Sequence, residues 1–402
     1  MTLTTESVYF DMYDRDIYAD PYPVFQRLRD EAPLYFNEQM GFYAVSRFED
    51  AERVMVDRET FVSSKGMVYN IMPYVIGGDI GIPNGLFICE DAPLHTMHRA
   101  LVSRVFTPKR VKLIEPQIRA FCAGVVDRLV GADRFDWAKD IAAQVPMRVI
   151  GMLVGIPEED QEKIRDHFNE LLNEGTQDST KPPFEAIAQS EGLFGAHLDR
   201  RVAEPADDLM TQLLTIEFED DTGTRRTLRR EEILTFLNLI AGAGTDTTSR
   251  LIGWTGKILA EHPDQRRRLV DNPALIPNAI EEILRLEPPP YHFGRYVTTD
   301  VEFHGQTVPA GSIMVVLPGS ANHDERRFPD AERFDIDRQI GRILSFGFGA
   351  HLCLGANLAR LEGRIVLEEV LKRIPEWSVH LDQGELTSGI DTRGWESLPV
   401  SV

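Results

Sequence analysis

Cysteine is scarce in this chain: Cys89, Cys122 and Cys353 are its only three in 402 residues. An odd, sparse set in so long a chain argues against a disulfide framework, so each thiol is judged on its neighbours. Long apolar runs are missing too, and no stretch approaches the roughly 20 residues needed to span a bilayer. Residues 1–13 have neither a basic start nor an apolar centre, so no secretory signal is expected. Positive charge is in deficit, 43 Lys and Arg against 64 acidic residues, for a net charge of −21. Such a field repels phosphate backbones and anionic lipid, which makes nucleic acid and membrane poor partners. The expectation is a soluble, cytoplasmic monomer.

What is present is ordinary globular material, 43% hydrophobic and 27% charged, enough to bury a large core. Helical periodicity dominates. Residues 21–31 and 48–56 read as helices around a hairpin pattern at 34–36 and 42–45. Residues 65–89 differ, with Gly66, Gly77, Gly78, Gly81 and Gly85 scattered among Met67, Tyr69, Leu86 and Phe87. This predicts a long apolar loop, either a functional lid or an irregular cover over the core. Helices follow from 93 to about 202, broken near Pro108, Gly131, Pro157 and a polar stretch at 175–183. The longest signal, 228–260, contains no proline and would run about 50 Å at ~1.5 Å per residue. A helix at 273–286 ends before Pro288, Pro289 and Pro290, and strand patterns fill 296–316. Residues 322–340 read as irregular, 353–373 as a last helix, and the tail as short strands. Without repeat or linker, the pattern predicts one large domain, 1–402, mainly α with a minor β region.

The most informative string is Phe346-Gly347-Phe348-Gly349-Ala350-His351-Leu352-Cys353-Leu354-Gly355. Its first two glycines permit backbone conformations closed to other residues. The cysteine falls where a helix begins, so converging amides and the positive helix end can stabilise a thiolate. Three further patterns stand out. Glu282 and Arg285 share a helix face at i, i+3, a pairing that on a surface is worth only about 0.2–0.5 kcal/mol. Ala241-Gly242-Ala243-Gly244-Thr245-Asp246-Thr247-Thr248 puts two glycines in the long helix, costing roughly 2 kcal/mol against alanine. That cost is tolerable if the helix opens, if something approaches it, or if another helix packs closely there. His95 and Arg99 lie at i, i+4 on another face.

The ten-residue string resembles the signature loop of the cytochrome P450 family, Phe-Gly-x-Gly-x-His-x-Cys-x-Gly, and meets every specified position. The resemblance implies the fold of that family and haem b, iron protoporphyrin IX, with Cys353 as the thiolate ligand to iron. It implies that Phe346 packs near the thiolate and that Gly355 leaves room for the macrocycle. His95, Arg99, Arg295 and His351 match family positions that bind the propionates, two carboxylates too costly to bury unpaired. The long-helix motif implies a dioxygen-binding groove at Gly244, with Asp246 and Thr247 relaying protons. Glu282 and Arg285 match the family's Glu-x-x-Arg motif, and Arg333, in Phe328-Pro329-Asp330-Ala331-Glu332-Arg333-Phe334, is the expected third member of a buried structural network. The triple proline departs from the family where it usually faces substrate.

The activity implied is hydroxylation of an apolar small molecule by dioxygen. Electrons would come from an acidic iron–sulfur ferredoxin and its reductase. A basic surface of Arg99, Arg104, Lys109, Arg110 and Lys112, with Arg338, Arg342, Arg360 and Arg364, would steer that partner. Rival readings are a peroxide-using or non-oxygenating relative, a haem-binding sensor without turnover, and a non-haem protein with Cys353 as nucleophile. Cys122 reads as core packing; Cys89 is ambiguous.

Overall fold

The computed structural model describes residues 8–166 and 191–402, so the polar stretch expected at 175–183 lies outside the described residues. Helices dominate, as the periodicity predicts. Six of them frame the site: α1 (Leu94–Ser103), α2 (Pro108–Asp127), α3 (Val145–Val154), α4 (Arg230–Glu261), α5 (Ile276–Leu286) and α6 (Ala356–Arg373).

Helix α4 is the axis of the molecule. Its 32 residues span ~48 Å. The helix starts where the Glu232 carboxylate reaches back to accept from the Arg229 amide at 2.7 Å, satisfying a donor that a helix end leaves free. Buried positions such as Ile233, Leu237, Leu251 and Ile258 face α3 on one side and α6 on the other. Helix α2 lies along α6 and closes that layer.

A small sheet stands beside the bundle. It contains β1 (Leu34–Asn37), β2 (Phe42–Val45), β3 (Phe61–Val62), β4 (Phe293–Val297) and β5 (Ile313–Val316), in the order β1-β2-β5-β4-β3. The β1–β2 hairpin is antiparallel, with Leu34 opposite Val45. Strand β5 then pairs parallel with β2 across more than 260 residues of sequence, Ile313 opposite Phe42. All four residues of β5 are buried, which explains the unbroken run Ile-Met-Val-Val.

Three boundaries differ from the sequence reading. The last helix begins at Ala356, not Cys353, because the ligand loop carries its own tight turns. Residues 65–89 are not wholly irregular, since Met72–Gly77 forms a short helix closed by Gly78 at φ +82°. The run of helices from 93 is interrupted by a strand, Arg134–Asp136, which pairs with Pro399–Ser401 near the far end of the chain.

Candidate active site

The loop before α6 holds Cys353 in place through its backbone. Gly347 and Gly349 sit at φ +66° and +74°, the left-handed region that favours glycine. A Cβ on Gly349 would also come within 2.9 Å of the Met55 carbonyl. The Cys353 amide donates to the Phe346 carbonyl at 2.9 Å, tying the two ends of the loop together. Desolvation by the surrounding protein pushes the thiol pKa up, although the residue is exposed to the space in front of it. The amides of Gly355 and Ala356 and the charges of Arg99 and Arg360 pull the other way. A Cβ on Gly355 would meet only the Cys353 sulfur, at 3.9 Å, so the space beside the thiol is kept clear.

That thiol opens on a cavity between the ligand loop and α4, lined by some thirty residues from helices, strands and the ligand loop. Cys353, Phe346 and Gly355 form one wall, and Ala243, Gly244 and Thr247 belong to α4.

A cluster of positive and potentially positive groups gathers at the same cavity. The His95 and His351 rings lie 4.0 Å apart, and Arg99 donates to the Leu352 carbonyl. The His351 ring shares a 3.3 Å hydrogen bond with Ser63 Oγ. Arg99, Arg295 and His351 all line the cavity. Burial, then Arg295, His95 and Arg99, drive His351 down to about 2. Burial also depresses Arg99 and Arg295. Nε2 of His95 is buried with no partner among the described residues. Two arginines and two histidines gathered at one end of a cavity, with few acidic partners, suit a ligand with two carboxylates. With a soft thiolate on the wall, the residues present fit a haem.

On α4 the two residues of the acid–alcohol motif part company. Thr247 lines the cavity, and its hydroxyl donates to the Ala243 carbonyl at 2.8 Å. The Asp246 carboxylate is buried elsewhere. It pairs with Arg250 at 2.7 Å and accepts from the Thr392 hydroxyl at 2.7 Å. Burial opposes the Arg250 charge, but Asp246 and Glu396 lift its pKa above the usual value. Gly244 lines the cavity, yet the space its missing side chain leaves is taken by Ile150 of α3, 2.7 Å from where a Cβ would stand. Close helix packing therefore accounts for this glycine.

The buried network behind the loop needs one correction. Arg285 pairs with Glu282 at 2.7 Å, both side chains fully buried. The third member is Arg338, whose Nε lies 2.9 Å from Glu282 Oε1. Arg333 is exposed and contributes only its backbone carbonyl, which accepts from Arg338 at 2.8 Å and Arg285 at 3.4 Å. The chain turns between 333 and 338, so the second arginine is the one that points inward.

Sequence reasoning also missed Arg250, Thr392 and Glu362. Arg250 was within reach, standing at i+4 from Asp246. Glu362 lines the cavity from α6 with Oε2 unpartnered among the described residues, and burial holds its carboxyl well above the ordinary range. Burial pushes the Cys89 thiol to about 12, which makes it a protonated core residue; Cys122 is likewise buried and raised. The expected basic face is smaller than the sequence suggests. Arg342 pairs with Glu52, Arg360 with Glu281, Arg364 with Glu115 and Arg110 with Asp207.

The sequence matches the family model described as Cytochrome P450 over residues 158–388. It is 35% identical to a putative cytochrome P450 123 of Mycobacterium tuberculosis, over 98% of this chain and 96% of that one. The chain belongs to the cytochrome P450 family. As a P450 it is a haem-thiolate oxidoreductase of the monooxygenase type, with haem b as its cofactor. It is also 31% identical to a vitamin D(3) 25-hydroxylase of Pseudonocardia autotrophica, over 99% of this chain and 98% of that one. The solved structure of CYP109E1 from Bacillus megaterium in complex with testosterone superposes at a TM-score of 0.82, with 29% identity over 95% of this chain and 99% of that one. Among the described residues no helix is long and apolar enough to cross a membrane.

Proposed function

We propose that this P450 hydroxylates an apolar organic molecule, with electrons from an acidic ferredoxin and its reductase. The observation that carries the reading is the apolar part of the cavity lining. Met67, Phe87, Leu239, Ile240, Pro290 and Phe293 form it, without a charged side chain. A vitamin D(3) hydroxylase and a testosterone complex among the relatives agree with such a lining.

When bound, the haem would supply activation of dioxygen and insertion of one oxygen atom into a carbon–hydrogen bond. The chain's own residues do the rest. Cys353 would hold the iron, with Phe346 beside the sulfur and Gly355 keeping the neighbouring space free. His95, Arg99, Arg295 and His351 bind the propionates. Thr247 positions a proton at the cavity wall, and Asp246 relays protons to it. Because Asp246 is held by Arg250 and Thr392, proton delivery requires it to exchange those partners. The Glu282–Arg285–Arg338 network keeps the loop in register. Thr247 in the cavity wall favours this reading over a peroxide-using one.

For the partner, Arg104, Lys109 and Lys112 are exposed beside Leu113, itself 62% exposed, and none has an ion pair among the described residues. These exposed cations without ion pairs suit an acidic protein docking to a cytoplasmic monomer. Screening apolar compounds for the haem absorption shift that follows displacement of the iron-bound water tests the substrate class. A preference for highly charged ligands would overturn it. Charge reversal at Arg104 and Lys109 should slow electron transfer from a ferredoxin and weaken its salt dependence; rates indifferent to both would exclude the docking face.

A further inference from the structure

The triple proline delivers the chain to His292, which no motif singles out. Only 1% of this residue is exposed, and both ring nitrogens are engaged. Nε2 accepts from the Tyr69 amide at 2.9 Å, and Nδ1 lies 3.2 Å from the Ile390 carbonyl. A carbonyl can only accept, so Nδ1 carries the proton and the ring is the neutral tautomer that bridges both segments.

The neighbours of His292 stitch the same seam. Gly294 donates to the Met67 carbonyl at 2.6 Å, and Tyr291 to the Asp391 carbonyl at 3.0 Å. Asn70 Nδ2 donates to Asp391 Oδ2 at 3.1 Å, joining the two outer segments directly. The Tyr69 hydroxyl donates to the Met40 carbonyl at 2.5 Å. A Cβ on Gly294 would collide with Met72 Sδ, so the two chains lie as close as glycine allows. Residues 67–70 of the apolar loop are thus docked against β4. By contrast Pro73, Ile76, Gly77, Gly78 and Asp79 are exposed.

We propose that His292 is a positioning residue for the substrate cavity: by tying residues 67–70 to the turn at 388–392 it fixes Met67 against Phe293. The exposed part of the loop, residues 76–79, lies outside that anchor. Met67 and Phe293 both line the cavity and His292 does not, so it acts through them. The inference rests on the cavity being the substrate site.

Amide exchange on the haem-loaded protein without substrate tests it first. Residues 67–70 should exchange at least ~100-fold more slowly than 73–84. In His292→Ala, exchange at 67–70 should rise about 10-fold or more. Affinity for 4-phenylimidazole, read from the haem spectrum, should then weaken about 10-fold while that for imidazole changes less than about 2-fold. His292→Gln, which keeps an acceptor for the Tyr69 amide, should regain most of the difference. Equal exchange across 67–84 in the wild type overturns the inference. So does His292→Ala weakening both azoles alike, the mark of general damage around the iron. Should His292→Ala not fold, the wild-type exchange pattern and His292→Gln decide. Exchange does not depend on the haem spectrum, so failure of the site reading and failure of this inference are separable.

Discussion

Arg250 holds Asp246: one turn along α4, its Nη2 lies 2.7 Å from the Asp246 carboxylate, on the side away from the cavity that Thr247 lines. The acid and the alcohol of one motif therefore serve the site differently, one as a held reserve and the other as part of the wall. Asp246→Asn should lower turnover by about 100-fold or more, within the usual range for a positioned proton donor, and leave ligand affinity within about 2-fold. Comparing kcat with the ligand Kd from spectral titration checks this. An equal loss in both would make Asp246 a purely structural residue.

Arg338, not Arg333, completes the network on Glu282. Arg338→Ala strands part of a buried carboxylate and should cost about 3–5 kcal/mol, with loss of bound haem on heating. Arg333→Ala removes an exposed side chain and should fall within about 0.5 kcal/mol of the wild type. Thermal unfolding followed at the haem band separates the two.

Gly244→Ala sets a methyl group 2.7 Å from Ile150 Cδ1. Overpacking of this kind should cost about 1–3 kcal/mol. Adding Ile150→Val, which removes that carbon, should recover most of the loss in a double-mutant comparison of melting temperatures. No recovery would point to a ligand, and not to α3, as the reason for the glycine.

Asp391 is held near pH 6 by burial and then by the Asp246 charge, against an ordinary value of 3.8. The Asn70 hydrogen bond opposes both. A carboxyl raised on folding favours the fold while protonated. That contribution is complete below pH 3.8 and lost as the pH rises through 6. Asp391→Asn should therefore raise stability at pH 8 by about 1–3 kcal/mol, with the gain shrinking towards pH 4. Melting temperatures across that range give the sign directly.

Much of this was legible in the sequence because it is local. The β1–β2 hairpin, α4 and the ligand loop each announce themselves through periodicity, turn residues or a contiguous string. What escaped depends on contacts across long stretches of chain. The β2–β5 pairing and the strand pairing of 134–136 with 399–401 leave no local trace. Arg333 and Arg338 have similar surroundings in sequence, and only the turn between them decides which enters the core. His292 looks like any histidine until Tyr69 and Ile390 arrive from opposite ends of the chain. Gly244 was noticed for a good reason, but the helix that occupies its space is nearly 100 residues away.

Cys353 is expected to ligate haem iron through its sulfur as a thiolate. The absorption spectrum of the reduced, carbon monoxide-bound protein tests it most directly. Thiolate ligation gives a strongly red-shifted Soret band, which should be lost in Cys353→Ser. A band at the position given by imidazole ligation in the wild type, or an unchanged spectrum in Cys353→Ser, would contradict it.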